Sequence, residues 1–159
     1  MKKIVFLVAF FATVFTKNSF AQDSVQQYQL SQLLSHYYGI KDALVAGNAA
    51  TVSLKAEEFV KALNGIDYKI ISEGNVNALL KDAGGISETK DLKLQREYFA
   101  NFSNNMFILA KSVKLTTASI FQQYCPMKKT YWLSSDKEIK NPYYGSAMLT
   151  CGKVTETLK

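Results

Sequence analysis

The feature that most constrains the fold of this chain is a near-heptad apolar pattern between residues 88 and 113. Its two sets of positions are Leu92, Phe99, Met106 and Val113, and their companions Gln95, Phe102 and Leu109. Residues at this spacing form a seam along one side of a helix, as antiparallel helix packing requires. The pattern therefore predicts a long helix with Phe99, Phe102 and Leu109 buried against neighbouring helices.

Three further helical segments precede this one. The first carries an apolar stripe at 3.6-residue spacing, formed by Leu30, Leu33, Leu34, Tyr37, Ile40 and Leu44. Gly47 is a natural stop for this helix, and the side chain of Asn48 is suited to cap the next one. The second stripe consists of Val52, Ala56, Phe59, Val60 and Leu63, and we expect Gly65 to end that helix.

The third segment is shorter, with Val76, Leu79, Leu80 and Ala83 as its apolar positions. Gly84 and Gly85 follow, and glycine pairs of this kind are expected to break or kink a helix. The short connections favour antiparallel neighbours. We therefore predict a mainly α fold, an up-and-down bundle of about four helices over residues 24–113.

The composition changes in the C-terminal tail, over residues 116–159. The segments Thr116–Tyr124 and Thr130–Leu133 carry β-branched and aromatic residues, while Asn141-Pro142 and Gly145 are typical of a turn. We expect short extended pieces packed on the bundle. With about 138 residues after the N-terminal segment, the chain is long enough for one domain, residues 22–159.

The N-terminal segment, residues 1–21, has the pattern of a secretory signal peptide. Lys2 and Lys3 precede an apolar run from Ile4 to Phe15, and Ser19-Phe20-Ala21 supplies small residues for cleavage before Gln22. The alternative is a membrane anchor, but a spanning helix needs about 20 apolar residues. We therefore predict an exported, periplasmic protein with no stable membrane insertion after cleavage behind Ala21.

The charge pattern argues against nucleic acid as a partner. The formal net charge is +6, and removal of Lys2, Lys3 and Lys17 with the signal would leave about +3. The remaining lysines are interleaved with Asp and Glu, as in Lys55-Ala56-Glu57-Glu58. This is typical of a solvated surface.

The tail also holds the chain's only dense cluster of soft metal ligands: Cys125, Met127, Met148 and Cys151. Thiolate and thioether donors select Cu(I) over hard cations. Pro126 restricts the backbone between Cys125 and Met127, and the three-residue spacing of Met148 and Cys151 suits one side of a helical turn. The cluster is therefore a candidate soft-metal site for Cu(I).

A disulfide between Cys125 and Cys151 is the competing interpretation. An exported protein with two cysteines usually pairs them. Such a bridge would close a loop of about 26 residues, which is worth roughly 3.5 kcal/mol in the chain-entropy description. By residue types alone this alternative is favoured over a metal site, and the two methionines would then be incidental.

The same tail resembles a bacterial family of domains of unknown function. That family occurs as small exported proteins, common in Bacteroidetes-type bacteria, and at the C-terminal end of periplasmic adaptor subunits of copper/silver efflux pumps of the RND class. The matching elements are Cys125-Pro126-Met127, Trp132-Leu133-Ser134, Asn141-Pro142-Tyr143-Tyr144-Gly145 and Met148-Leu149-Thr150-Cys151-Gly152. The segment from Tyr38 to Leu44, with Phe99 and Ser103, also resembles the family's helices. The resemblance implies a helical-bundle domain linked to the handling of heavy metals.

Catalysis has little support in the sequence. His36 is the only histidine, so a catalytic Ser-His or Cys-His pair cannot form anywhere else in the protein. The sequence also contains no phosphate-binding loop and no dinucleotide-binding fingerprint. A hydrolase would lack its base, nucleophile pair and hard-metal site. We therefore expect a non-enzymatic module that binds Cu(I), or Ag(I) when present, and buffers it or transfers it to an efflux pump or a copper-receiving protein. The alternative is a structural or interaction domain with the Cys125–Cys151 disulfide.

Overall fold

The computed structural model describes residues 17–67 and 69–159, with side chains from residue 23 onward. Most of the predicted signal peptide, residues 1–16, lies outside this range, and residues 17–21 form the start of the first helix. Within the described residues, no helix has the length and apolar character needed to cross a membrane.

Four helices form the main body of the fold: α1 (Lys17–Ala46), α2 (Ala49–Asn64), α3 (Glu73–Glu88) and α4 (Leu92–Ser112). Each helix packs against the next along the chain. The predicted stripe of α1 is buried at all six positions, and Phe99, Phe102, Met106 and Leu109 of α4 are fully buried. The predicted mainly α bundle with a short β tail is confirmed.

The predicted boundary between α1 and α2 is also confirmed. Gly47 follows α1 with φ of +71°, a conformation that glycine adopts without strain. The Asn48 side chain accepts a hydrogen bond from the Thr51 backbone N–H at 3.0 Å. This bond satisfies one of the unpaired donors at the start of α2.

The expected break at Gly84 and Gly85 is wrong, because α3 continues through both residues to Glu88. The reason lies in the neighbouring helix. A Cβ atom on Gly85 would lie 2.8 Å from the Tyr98 ring of α4. Glycine is thus used here for the close approach of two helices, which a local pattern does not distinguish from a helix break.

The tail forms a three-stranded antiparallel sheet of β1 (Ile120–Cys125), β2 (Thr130–Ser134) and β3 (Lys153–Leu158), in the order β2-β1-β3. A short 3₁₀ helix, Gly145–Met148, precedes β3. In the register, Cys125 pairs with Thr130 of β2, and Tyr124 pairs with Lys153 of β3. Strand β2 packs on α4 and joins the sheet to the bundle.

One buried tyrosine links the bundle to the sheet. The hydroxyl of Tyr37 in α1 accepts a hydrogen bond from the Leu133 backbone N–H of β2 at 2.9 Å and lies 2.7 Å from Ser103 Oγ of α4. Its ring stacks on Phe99 with centroids 5.5 Å apart. Desolvation raises the pKa of Tyr37 well above its ordinary value, so the hydroxyl stays protonated.

We predict that Tyr37→Phe lowers the free energy of unfolding by about 1–3 kcal/mol, because the buried Leu133 N–H loses its acceptor. Tyr38→Phe is the matched control, since it removes the same atom from the adjacent, half-buried tyrosine. Urea unfolding of both variants measures the difference. Equal losses in the two variants would show that the Tyr37 hydroxyl does not stabilise the junction.

Candidate metal centre

Cys125 is the last residue of β1 and is fully buried. The chain turns sharply behind it, with the Lys129 backbone N–H donating to the Cys125 carbonyl at 2.8 Å. Inside this turn the Lys128 backbone N–H points to Cys125 Sγ at 3.4 Å. The turn therefore directs a hydrogen-bond donor at the sulfur.

Cys151 follows the short 3₁₀ helix and is half-buried. Its backbone N–H donates to the Met148 carbonyl at 3.1 Å, which continues the helical turn to the cysteine. Both cysteines are free. Desolvation, followed by the proximity of the Cys125 thiol, raises the pKa of Cys151 above its ordinary value.

Asn141 holds the two cysteine segments together. Its buried Nδ2 donates to Cys125 Sγ at 3.2 Å and to the Cys151 carbonyl at 2.8 Å. Its Oδ1 accepts from the Tyr143 backbone N–H at 2.9 Å, and its own backbone N–H donates to the Leu149 carbonyl at 2.8 Å. The sequence predicts Asn141 only as part of a turn. The Asn-Pro-Tyr sequence does signal the local bond to residue 143, but not the bonds to the cysteines.

Two aromatic residues pack behind the cysteine segments. Trp132 is fully buried, and its ring centroid lies 6.0 Å from that of Tyr143. The Tyr143 hydroxyl accepts from Thr130 Oγ1 at 3.2 Å and donates to the Tyr131 carbonyl. Gly152 lies so near Trp132 that an added Cβ would be 2.8 Å from the ring. The residue after Cys151 is thus held by the core.

The loop between Asn141 and the 3₁₀ helix is anchored to the bundle by Arg96 of α4. Its Nε donates to the Pro142 carbonyl at 2.9 Å, and its Nη2 donates to the Leu44 carbonyl at 3.2 Å. Gly145 lies against this anchor with φ of +55°. A Cβ on Gly145 would be 2.9 Å from the Val45 carbonyl oxygen. These contacts fix the tail against the end of α1.

The predicted ligands Met127 and Met148 are placed differently from the cysteines. Met127 is 61% exposed in the turn between β1 and β2, and Met148 is 37% exposed at the end of the 3₁₀ helix. The structure therefore brings the two thiols together and leaves both thioether side chains at the surface. Each methionine remains within three residues of a cysteine along the chain.

Residues 17–67 and 69–159 contain no group of three or more His, Cys, Asp or Glu side chains that could hold a metal ion. The cysteine pair supplies two soft sulfur donors. Whether the exposed thioethers join them is a question for experiment.

The fold defines the class of the protein: a four-helix domain with an appended three-stranded sheet and a pair of cysteines in the tail. Residues 33–118 match the family described as "Protein of unknown function (DUF3347)". Because the match covers more than half of the chain, the chain belongs to this family. The match ends before β1, so Cys125, Met127, Met148 and Cys151 lie outside it. Neither the curated proteins nor the solved structures include a match to this chain.

Proposed function

We propose that this protein is a Cu(I)-binding module of the cell envelope in which Cys125 and Cys151 are the principal ligands. The adjacency of the two free thiols carries the proposal. Thiolates are soft donors with a strong preference for Cu(I), and Ag(I) shares that preference. Because the pKa of Cys151 is raised, its thiol is protonated at neutral pH, and metal binding must displace the proton.

Met127 and Met148 act in this proposal as the outer ligands. Their exposed, unbranched thioether side chains can contact an incoming ion before it reaches the cysteine pair. Thioethers also remain unprotonated at ordinary pH, so their share of the binding grows as the solution becomes acidic. The protein would buffer Cu(I), or pass it to a heavy-metal efflux pump or a copper-receiving protein. The signal-like N-terminus supports an exported, periplasmic location.

A second candidate function uses the same two residues. The two thiols are close enough to interact, so oxidation could join them in a structural disulfide, leaving a non-catalytic structural or interaction domain. A disulfide has no thiolate to offer a metal. The two functions therefore give opposite results when the state of the cysteines is measured.

The test is a titration of the reduced full-length protein with Cu(I) against a competing chelator. We expect one-to-one binding that is lost in Cys125→Ser and in Cys151→Ser, and weakened in the double variant Met127→Leu, Met148→Leu. Met106→Leu is the matched control, because it removes a thioether that is buried in the α4 seam. Circular dichroism of each variant checks that the helices are retained.

Two results would contradict the copper function. One is wild-type binding no tighter than that of the cysteine variants. The other is protein isolated from the periplasm that has no free thiol and cannot be reduced without unfolding, which would establish the disulfide. Cys151→Ser is the decisive variant, since Cys151 is only half-buried and its replacement disturbs the core less than replacement of Cys125.

A further inference from the structure

A cationic pocket adjoins the cysteine pair. It has a volume of about 250 Å³ and is lined by Lys93 and Arg96 of α4, Lys128 of the β1–β2 turn, and Tyr143 and Tyr144. No acidic side chain lines it. Three cationic side chains therefore line one cavity, which lies between the helical bundle and the tail.

These three charges are unpaired, in contrast to other lysines of the protein. In the described part of the chain, none of Lys93, Arg96 and Lys128 forms an ion pair with a carboxylate. The lysines that do so are Lys41 with Asp42, Lys55 with Glu58, Lys111 with Glu156 and Lys140 with Glu138. The pocket therefore concentrates uncompensated positive charge, which attracts anions.

The acidic residues nearest in sequence do not neutralise the pocket. The Asp91 carboxylate caps α4, accepting from the backbone N–H groups of Lys93 at 2.8 Å and Leu94 at 3.3 Å. Glu97, one turn beyond Lys93, is exposed and forms no ion pair within the described residues. Neither carboxylate therefore forms an ion pair with Lys93.

Arg96 gives the pocket a fixed geometry. Two of its N–H groups are held by the carbonyls of Pro142 and Leu44, which orients the guanidinium plane before any ligand arrives. Burial lowers the pKa of Arg96, as expected for a guanidinium that lacks a compensating anion. A planar guanidinium with free N–H groups is the side chain best suited to bind the oxygens of a carboxylate or phosphate.

We propose that Lys93, Arg96 and Lys128 form a binding site for an oxyanion, the carboxylate or phosphate group of a small molecule. Tyr143 and Tyr144 complete the lining of the pocket. Lys128 connects the site to the cysteines, because its backbone N–H contacts Cys125 Sγ. Binding of an anion here does not require copper.

The test uses metal-free, reduced protein labelled with ¹⁵N, titrated with sodium phosphate and separately with sodium acetate at constant ionic strength set by sodium chloride. We expect saturable shifts of the Lys93, Arg96 and Lys128 backbone signals and of the Arg96 Nε–H signal. The anion that binds more tightly identifies the ligand as a phosphate or a carboxylate. Because copper is absent, the result is independent of the titration with Cu(I).

The double variant Lys93→Gln, Lys128→Gln should bind the preferred anion at least about tenfold more weakly, with Arg96 left to hold the tail. Lys90→Gln, Lys129→Gln is the matched control, because it removes the same charge from exposed neighbours that do not line the pocket. Shifts that do not saturate, or equal weakening in both double variants, would overturn the proposal, since either result would reflect net charge alone.

Discussion

Truncation of Phe102 to alanine is expected to lower the free energy of unfolding by about 3–5 kcal/mol. The Phe102 ring is fully buried in α4. Its centroid lies 4.7 Å from that of Phe59 in α2 and 5.4 Å from that of Tyr37 in α1. The truncation therefore opens a cavity where three helices meet, and close-packed rings cannot easily collapse into it.

The matched control for Phe102 is Ile108→Ala on the same helix. Ile108 is 52% exposed, so its truncation should change the stability by only about 0.5 kcal/mol. Chemical unfolding followed by circular dichroism measures both variants. A loss at Phe102 no larger than at Ile108 would mean that the buried face of α4 is assigned incorrectly.

Replacement of Gly145 by alanine should cost about 2–4 kcal/mol. A left-handed conformation costs a residue with a Cβ about 1–2 kcal/mol, and Gly145 has φ of +55°. Its Cβ would also lie 2.9 Å from the Val45 carbonyl oxygen and 3.0 Å from Arg96 Nη2. Overpacking of this kind adds a further cost of about 1–3 kcal/mol, part of which relaxation removes.

Gly84→Ala is the control for Gly145, and the opposite sign is expected. Gly84 lies inside α3, and a Cβ there would meet nothing within 4 Å. Alanine in a helix interior is favoured over glycine by about 0.5–1 kcal/mol, so this variant should be more stable than wild type. Urea unfolding of the two variants decides both expectations. Stabilisation by Gly145→Ala, or a loss at Gly84, would contradict the backbone geometry described above.

The helices were predictable from the sequence because their signal is local. The stripe of α1 and the seam of α4 follow from spacing alone, since each residue's burial depends on its position around one helix. The same local reasoning was wrong at Gly84 and Gly85. At Gly85 the deciding contact is with Tyr98 of another helix, which no local pattern records, while Gly84 lies in open space within the continuous helix.

The sheet was predicted only as short extended pieces, because its third strand carries almost no sequence signal. Strand β3 runs through Lys153–Leu158, whose residues are mostly exposed. This segment becomes a strand because it pairs with β1, from Tyr124 with Lys153 to Ile120 with Leu158. Strand propensity is a weak guide where packing and pairing decide the outcome.

The cysteines of the candidate site could be singled out from the sequence, but the residues that hold them in place could not, and the metal chemistry stays a proposal. Residue type and export context singled out Cys125 and Cys151, and the structure brings their thiols together. The bonds of Asn141 to both cysteine segments, and those of Arg96 to Pro142 and Leu44, join residues far apart in sequence. Such contacts follow from the fold as a whole and leave no motif that a single sequence could reveal.

The family match ends between the helices that receive the tail and the tail that carries the two cysteines. Residues 33–118 contain Tyr37 and Arg96, which receive the tail, while Cys125 and Cys151 both lie beyond them. The surface that receives the tail and the two cysteines therefore lie on separate stretches of this chain. Substitutions after residue 118 can change the sulfur groups while Tyr37 and Arg96 stay in place.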